Sequence, residues 1–162
     1  MAVVLRSDIP VAPGTATTTS STLTTASTTT VSASLYHDYM NLSASGTAGY
    51  TADLTTISIS LTKRSLVVAV AVLMDVRADA VDVVDLILVI GGREVTYVRL
   101  KDVFSPYMLY GYRVLERGSY SVVLRLRNND ATTNHYVYFL GTPDTAGNKV
   151  VGYLVVYTIP LE

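Results

Sequence analysis

Hydrophobic and polar residues alternate along most of the chain from about residue 35 onward. The clearest case is the segment 119–127, in which four apolar side chains are separated mostly by serine and arginine: Tyr120, Val122, Leu124 and Leu126. A period of two is typical of a β-strand with one face on a core. The same pattern, or a short apolar run between turn residues, predicts further strands at 54–61, 66–76, 84–90, 93–100, 107–112, 135–140 and 150–161.

Turn residues and strand spacing indicate the class of fold. Gly91-Gly92 separates two of the predicted strands and predicts a tight hairpin, and the polar segment 142–149 predicts a second hairpin loop. The nearest approach to a helical pattern is 75–86, which could hold one helical turn. Eight or nine short strands at regular spacing predict an all-β sandwich or barrel.

Two predicted strands are apolar on both faces: LVVAVAVLM (66–74) and VVGYLVVYTI (150–159). One face of each strand can fill a sandwich, but the other would leave an unusually large apolar patch on a monomer. Self-association in a closed symmetric assembly would cover that patch. The alternative is that the N-terminal part of the same chain covers it.

The N-terminal 34 residues differ from the rest of the chain and are predicted to form a separate unit from the sandwich at 35–162. Residues 1–14 read as an extended arm, since Pro10 and Pro13 exclude a helix or a central strand. Residues 15–34 are mostly threonine and serine, which fits either a disordered linker or an extended ordered segment. The apolar side chains that could anchor the arm by strand addition are Val3, Val4, Leu5 and Ile9.

Composition narrows the choice of partners and compartment. The net charge of −1 gives no reason to expect a nucleic acid, and the longest apolar run is about half of a membrane span. The chain has no cysteine, hence no disulfide framework, and its start lacks the pattern of a signal peptide. The scarcity of thermolabile residues fits a thermophilic source and fits compositional drift equally well.

Few residues suggest catalysis or metal binding, and we expect no enzyme and no cofactor. His37 beside Asp38 could form a pH-sensitive pair, although a surface loop explains it as well. Ser119 follows a glycine but lies in no nucleophile elbow, so we interpret it as a strand residue. Four spaced aspartates form the one acidic cluster, whose spacing lacks a calcium-loop pattern: Asp75, Asp79, Asp82 and Asp85.

Tyrosine is abundant, with 12 residues, and tyrosine is favoured at interfaces. The segment FSPYMLYGY (104–112) therefore predicts an adhesive surface, although packing within strands would explain most tyrosines too. Arg125 and Arg127 together with Tyr136 and Tyr138 could imitate a surface for single-stranded nucleic acid, an interpretation that the net charge does not favour.

The layout from about residue 30 onward resembles the jelly-roll sandwich of TNF-like and C1q-like trimers, including related heads of virus spikes and fibres. The pieces that carry the resemblance are TTTVSASLY (28–36), the strands at 54–74, the hairpin at 84–100, VLERGSYSVVLRLRN (114–128) and GYLVVYTIPL (152–161). It implies an antiparallel jelly roll of about eight strands, a homotrimer, and the last two pieces together on an inner sheet near the threefold axis. The resemblance and the two strands that are apolar on both faces together suggest the residues of the oligomer interface. These candidates are Val68, Val70, Val72, Tyr120, Tyr153, Val155 and Tyr157.

The function expected from these patterns is that of a non-enzymatic virion structural protein, such as a spike, turret, fibre head, or capsid or capsid-decorating subunit. It would be made in the host cytoplasm and assemble with copies of itself and with neighbouring subunits. It could also contact a glycan or a host receptor. Two alternatives stay open. One is a cell-surface filament subunit that polymerises by N-terminal strand addition, and the other is a carbohydrate-binding jelly-roll module.

Overall fold

The computed structural model describes residues 27–44 and 49–161, which form an all-β sandwich of two antiparallel sheets. The strands of these residues are β1 (Thr29–Leu35), β2 (Tyr39–Leu42), β3 (Tyr50–Leu61), β4 (Ser65–Ala78), β5 (Val84–Ile90), β6 (Arg93–Arg99), β7 (Ser105–Leu115), β8 (Gly118–Asn128), β9 (His135–Leu140), β10 (Thr142–Pro143), β11 (Lys149–Val150) and β12 (Gly152–Pro160). The described residues contain no helix, and therefore no helix that is long and apolar enough to span a membrane.

The strand order is that of a jelly roll with eight strand positions. The first sheet contains β1, β12, β4, β9 and β2, with β7 on the free side of β4. Val76 pairs with Phe139 of β9 and Ser105 of β7, so β9 and β12 follow one another along one side of β4. In the same way β1 and β2 form one interrupted edge strand. The second sheet has the order β3-β8-β5-β6. The predicted antiparallel jelly roll of about eight strands is confirmed.

The core lies between the sheets and follows from the alternation in the sequence. On β4 the inward side chains are Val67, Ala69, Ala71 and Leu73, all at most 1% exposed. On β8, Val122, Leu124 and Leu126 face them with no exposed surface. Since a buried Val or Leu side chain stabilises a fold by about 1.5–3 kcal/mol, these inward rows fix the register of both sheets.

The hairpin predicted at Gly91-Gly92 is confirmed. Both glycines have positive φ, 56° and 75°, as a type I′ turn requires, and β5 pairs directly with β6 across them. The helical turn considered at 75–86 is wrong. β4 continues to Ala78 because Val76 and Ala78 both face the core with a period of two, and a turn leads to β5 at Val84.

The resemblance placed 114–128 and 152–161 on one sheet, and this expectation is also wrong. β8 lies in the second sheet and β12 in the first. In this topology the chain passes repeatedly from one sheet to the other, so two strands similar in pattern need not share a sheet. β1 begins at Thr29, within the Thr/Ser-rich segment, while the arm at 1–14 and its anchors Val3, Val4, Leu5 and Ile9 lie outside the described residues.

Candidate assembly surface

The outward side of the first sheet carries a continuous apolar surface, which we call the apolar face. It consists of alternate residues of three neighbouring strands, β12, β4 and β7. The strand register places them in four rows: Tyr153–Val72–Met108, Val155–Val70–Tyr110, Tyr157–Val68–Tyr112 and Ile159–Leu66–Val114. None of these twelve side chains is charged, so the face offers no ionic group to water.

Exposure on the apolar face increases toward the free edge at β7. Met108, Tyr110 and Tyr112 are 69%, 68% and 68% exposed, whereas Val72 and Tyr153 are 40% and 42% exposed. Three strands by seven residues cover about 340 Å² in plan, within the ~300–600 Å² of the largest apolar patch on a typical monomer. Among the described residues, no segment covers this face.

The same outer side continues past the apolar face into an aromatic cluster. The guanidinium carbon of Arg77 lies 5.0 Å from the ring centroid of Phe104 and 5.0 Å from that of Tyr138. Tyr136 stacks on Tyr138, with centroids 6.5 Å apart, and Tyr39 pairs with Tyr138 across the strands. Cation–π contacts hold the Arg77 guanidinium against the rings, so aromatic surface dominates this end of the sheet as well.

The outward side of the second sheet is built differently, and we call it the ion-pair face. Asp85 is 1% exposed, and its carboxylate accepts hydrogen bonds from Arg99 Nε at 2.9 Å and Arg127 Nη2 at 3.0 Å. Arg127 also contacts Glu94 at 2.9 Å, and Arg125 pairs with Asp53 on the neighbouring strand. The burial of Asp85 alone would raise the pKa of its carboxyl, but the hydrogen bonds from Arg99 and Arg127 outweigh this effect and lower it.

The ion pairs lie over a small apolar cluster of Ile87, Val89 and Val123, which is at most 5% exposed. Arg125 stands directly opposite Ile87 in the register, and Glu94 opposite Val89. Long arginine side chains can cover apolar surface with their stems while the charged ends stay hydrated. The ion-pair face thus shields its apolar residues with groups of the same chain.

Six of the seven candidate interface residues come together on the apolar face: Val68, Val70, Val72, Tyr153, Val155 and Tyr157. The seventh, Tyr120, lies on β8 of the opposite sheet and packs, partly buried, against the core. The pattern could not assign the side of each strand, because it shows alternation without showing which parity faces inward. That these six residues form an oligomer interface stays a prediction.

The sequence pattern does not predict that β7 belongs to the apolar face. Met108, Tyr110, Tyr112 and Val114 lie beside β4, whereas the sequence predicts only an adhesive segment at 104–112. Their alternation with buried Leu109 and Leu115 was the available signal.

The residues considered for chemistry are dispersed. Asp38 pairs with Lys149 at 2.8 Å, while His37 Nε2 lies 2.9 Å from the carbonyl oxygen of Leu54, so the His37–Asp38 pair does not form. Ser119 lies on the exposed side of β8, and Arg125 and Arg127 lie on the sheet opposite Tyr136 and Tyr138.

The acidic cluster is also divided. Asp79 contacts buried His135 at 2.8 Å, whereas Asp85 binds arginines. Within residues 27–44 and 49–161, no group of three or more His, Cys, Asp or Glu side chains could hold a metal ion.

No protein-family model matches the chain, and no curated protein matches it in sequence. Among solved structures, the chain is similar to the CBM36-1 domain of a multidomain xylanase from the hindgut metagenome of Trinervitermes trinervoides, with 10% identity over 80% of this chain and 96% of that domain and a TM-score of 0.38. It is also similar to a carbohydrate-binding module CBM36 in complex with calcium and xylotriose, with 14% identity, coverage of 78% and 97%, and a TM-score of 0.37.

A third similar structure is that of infectious bursal disease virus, Gt strain, with 12% identity, a TM-score of 0.41, and coverage of 83% of this chain but 38% of that one. At these values the similarities carry no argument about function. The resemblance to TNF-like and C1q-like trimers is confirmed only as far as the jelly roll itself, which the strand order gives directly.

Proposed function

We propose that this protein is a non-enzymatic structural subunit whose copies associate through the apolar face, and that the assembly is part of a virus particle. The observation that carries the proposal is the set of four uncharged rows across β12, β4 and β7. Removal of such a surface from water is favourable by about 25 cal/mol per Å² of apolar area, before the entropy cost of association is subtracted.

A second copy of the chain is the occupant that fits this face. A partner chosen by charge would need charged groups to select it, and the twelve residues supply none. Two flat sheet surfaces with Val, Tyr and Met side chains can pack face to face at about 10 Å, as the sheets of a sandwich do. Identical copies are always present where the chain is made, and symmetric homo-oligomers are the common result.

The size of the outer side is also sufficient for a stable interface. Four strand positions across and the 14 residues of β4 along the sheet give about 900 Å² in plan. A standard interface buries about 800 Å² per partner. The aromatic cluster around Arg77 extends the apolar face toward this size, and aromatic side chains and arginine are enriched at such interfaces.

The virus particle is inferred from fold and sequence together. Jelly rolls with eight strands are used both for viral capsid subunits and for lectins, so the fold alone leaves this choice open. A broad uncharged face and a predicted N-terminal arm suit a subunit that binds its neighbours permanently. A cell-surface filament would use the same arm in a different way, which the experiment below separates.

The proposal is tested by the mass of the full chain and of a variant that lacks residues 1–14, measured by light scattering. We expect both proteins to form the same closed oligomer, a trimer by the resemblance, because the apolar face is retained. Loss of association only in the shortened chain would support the filament alternative. A full-length monomer at concentrations of about 100 μM would refute association through this face, since it requires a Kd weaker than ~0.1 mM.

A further inference from the structure

A cavity of about 480 Å³ lies at an interruption that two neighbouring strands of the first sheet share. The edge strand is interrupted between β1 and β2, and its neighbour between β9 and β12, where the chain leaves the sheet as the β10–β11 hairpin. The cavity lies between these two interruptions. Its lining residues are Tyr36, His37, Asp38, Asn148 and Lys149.

The segment 141–151, which leaves the first sheet and returns to it, is closely packed at both ends. A Cβ atom on Gly141 would lie 2.1 Å from the Val150 carbonyl oxygen, and one on Gly152 would lie 2.2 Å from the Val72 carbonyl oxygen. Neither position can accept a side chain without movement of the backbone. The hairpin is therefore a defined structural element and not a loose insertion.

The tip of the hairpin is ordered by one carboxylate. Asp144 Oδ1 accepts hydrogen bonds from the backbone N–H groups of Ala146 and Asn148, both at 2.8 Å. These bonds, that of Asn148 foremost, lower the pKa of the Asp144 carboxyl although desolvation opposes the shift. A carboxylate that is charged at neutral pH therefore organises the backbone of the tip.

Two polar contacts, an exposed ion pair and a long hydrogen bond, connect the hairpin to the segment between β1 and β2. Lys149 Nζ donates to Asp38 Oδ1 at 2.8 Å, and the Tyr36 hydroxyl donates to Asp144 Oδ2 at 3.4 Å. They join the two sides of this solvent-open cavity, whose volume lies within the range of ligand sites, about 300–1,000 Å³. The fold thus provides a preformed concave site outside the apolar face.

The charges around this cavity favour a ligand without net charge. Lys149 is neutralised by Asp38, and Asp144 lies close by, so an anion would gain little attraction. A cation would have to compete with Lys149 for Asp38. What suits the site is a neutral ligand whose groups both donate and accept hydrogen bonds, as hydroxyl groups do. Tyr36, which is 51% exposed, adds aromatic surface on which the C–H side of such a ligand can pack.

We propose that the cavity between residues 36–38 and 148–149 binds a neutral carbohydrate. A sugar ring combines hydroxyl groups around its edge with an apolar C–H surface, which matches the Asn148 amide and the Lys149–Asp38 pair on one side and Tyr36 on the other. This site would give a structural subunit a glycan contact. It does not depend on the apolar face, so either proposal can fail alone.

The test is binding of the full-length protein to a glycan microarray that displays neutral glycans beside sialylated and uronic-acid glycans. We expect signals on neutral glycans, a loss of about tenfold or more in Tyr36→Ala, and retention of most of the signal in Tyr36→Phe, which keeps the ring. Tyr97→Ala is the matched control, since Tyr97 is 59% exposed on the ion-pair face. Its signal should equal that of the wild type.

Three results would overturn the carbohydrate site: no glycan bound, signals on anionic glycans alone, or full binding by Tyr36→Ala. Thermal unfolding of each variant shows whether the loss is local. If Tyr36→Ala does not fold, Asn148→Ala decides the question, because its side chain reaches the cavity from the hairpin and its signal should fall several-fold. Unchanged binding by a folded Asn148→Ala would then refute the site.

Discussion

The two outer faces of this sandwich differ in how their apolar residues are shielded from water. Both sheets place apolar residues on their outward side. On the ion-pair face, Ile87, Val89 and Val123 are buried beneath arginines that pair with Asp85, Glu94 and Asp53. On the apolar face, Met108 and Tyr110 have more than two thirds of their surface in contact with water.

The difference shows which face has its apolar residues covered by groups of the same chain. Single exposed apolar residues need no explanation, but on the apolar face seven exposed and five partly exposed side chains form one patch across three strands, and the largest apolar patch of a protein is often functional. The ion-pair face needs nothing more than solvent. The apolar face is the one that an assembly would stabilise, and the predictions that follow separate the two.

The largest expected effect comes from a charge placed on the apolar face. Tyr110→Asp would bury a carboxylate in the proposed interface at a cost of several kcal/mol, so self-association should weaken by about 100-fold or more. Ser58→Asp places the same charge on an exposed outward position of β3 in the second sheet and should leave association unchanged. Sedimentation velocity measures both. Equal weakening in the two variants would mean that the apolar face has no special role.

On the ion-pair face, Asp85 is expected to dominate stability. Asp85→Ala leaves Arg99 and Arg127 without their shared partner and should lower the free energy of unfolding by about 2–3 kcal/mol. This is below the ~3–5 kcal/mol of a fully buried pair, because both arginines are partly exposed. Glu116→Gln removes the exposed contact to Arg64 and should cost about 0.5 kcal/mol or less. Urea unfolding of the two variants gives the comparison, and equal losses would contradict it.

The lowered pKa of Asp85 gives a dependence on pH with a definite sign. A carboxyl whose pKa is lower in the folded protein contributes stability above the unfolded pKa, near 3.8, and loses it as pH falls through the folded pKa. The stability difference between the wild type and Asp85→Asn should therefore be constant at neutral pH and shrink below about pH 4. Chemical unfolding at pH 7, 5 and 3 measures it. A difference that grows toward pH 3 would contradict the assignment.

Salt should produce the smallest effect and should weaken only the interactions of the ion-pair face. Raising NaCl from 0.1 to 1 M shortens the screening length from about 10 to 3 Å and weakens exposed pairs such as Arg125–Asp53 by a few tenths of a kcal/mol. Association through uncharged rows should not weaken. Unfolding and light scattering on the same samples report the two responses, and dissociation by salt would point to an ionic interface instead.

Much of the fold could be predicted because alternation and turn residues are local signals. The hairpin at Gly91-Gly92 and the strand at 84–90 lie where the pattern placed them. Which strands lie in the same sheet could not be predicted in the same way. Tyr120 follows the same alternation as Tyr153, yet the path of the chain puts them on opposite sheets.

The candidate surface could be predicted only in part, because a local pattern does not show which strands are neighbours. β4 and β12 stand out because they are apolar on both faces. β7 alternates like an ordinary amphipathic strand, and only its position beside β4 shows that its outward residues enlarge the apolar face. The cavity at Tyr36 depends on two interruptions that come together in space, from residues more than 100 positions apart. No local pattern contains that information.

The central claim, that copies meet through the apolar face, is tested most directly by hydroxyl-radical footprinting of the full chain over a range of concentrations. Methionine and tyrosine side chains report their own exposure, so Met108, Tyr110 and Tyr112 can be compared with Tyr97 on the ion-pair face in one sample. The prediction is that labelling of the first three falls several-fold as the protein associates, while Tyr97 stays constant. Constant labelling of Met108, Tyr110 and Tyr112 in an associated sample would contradict it.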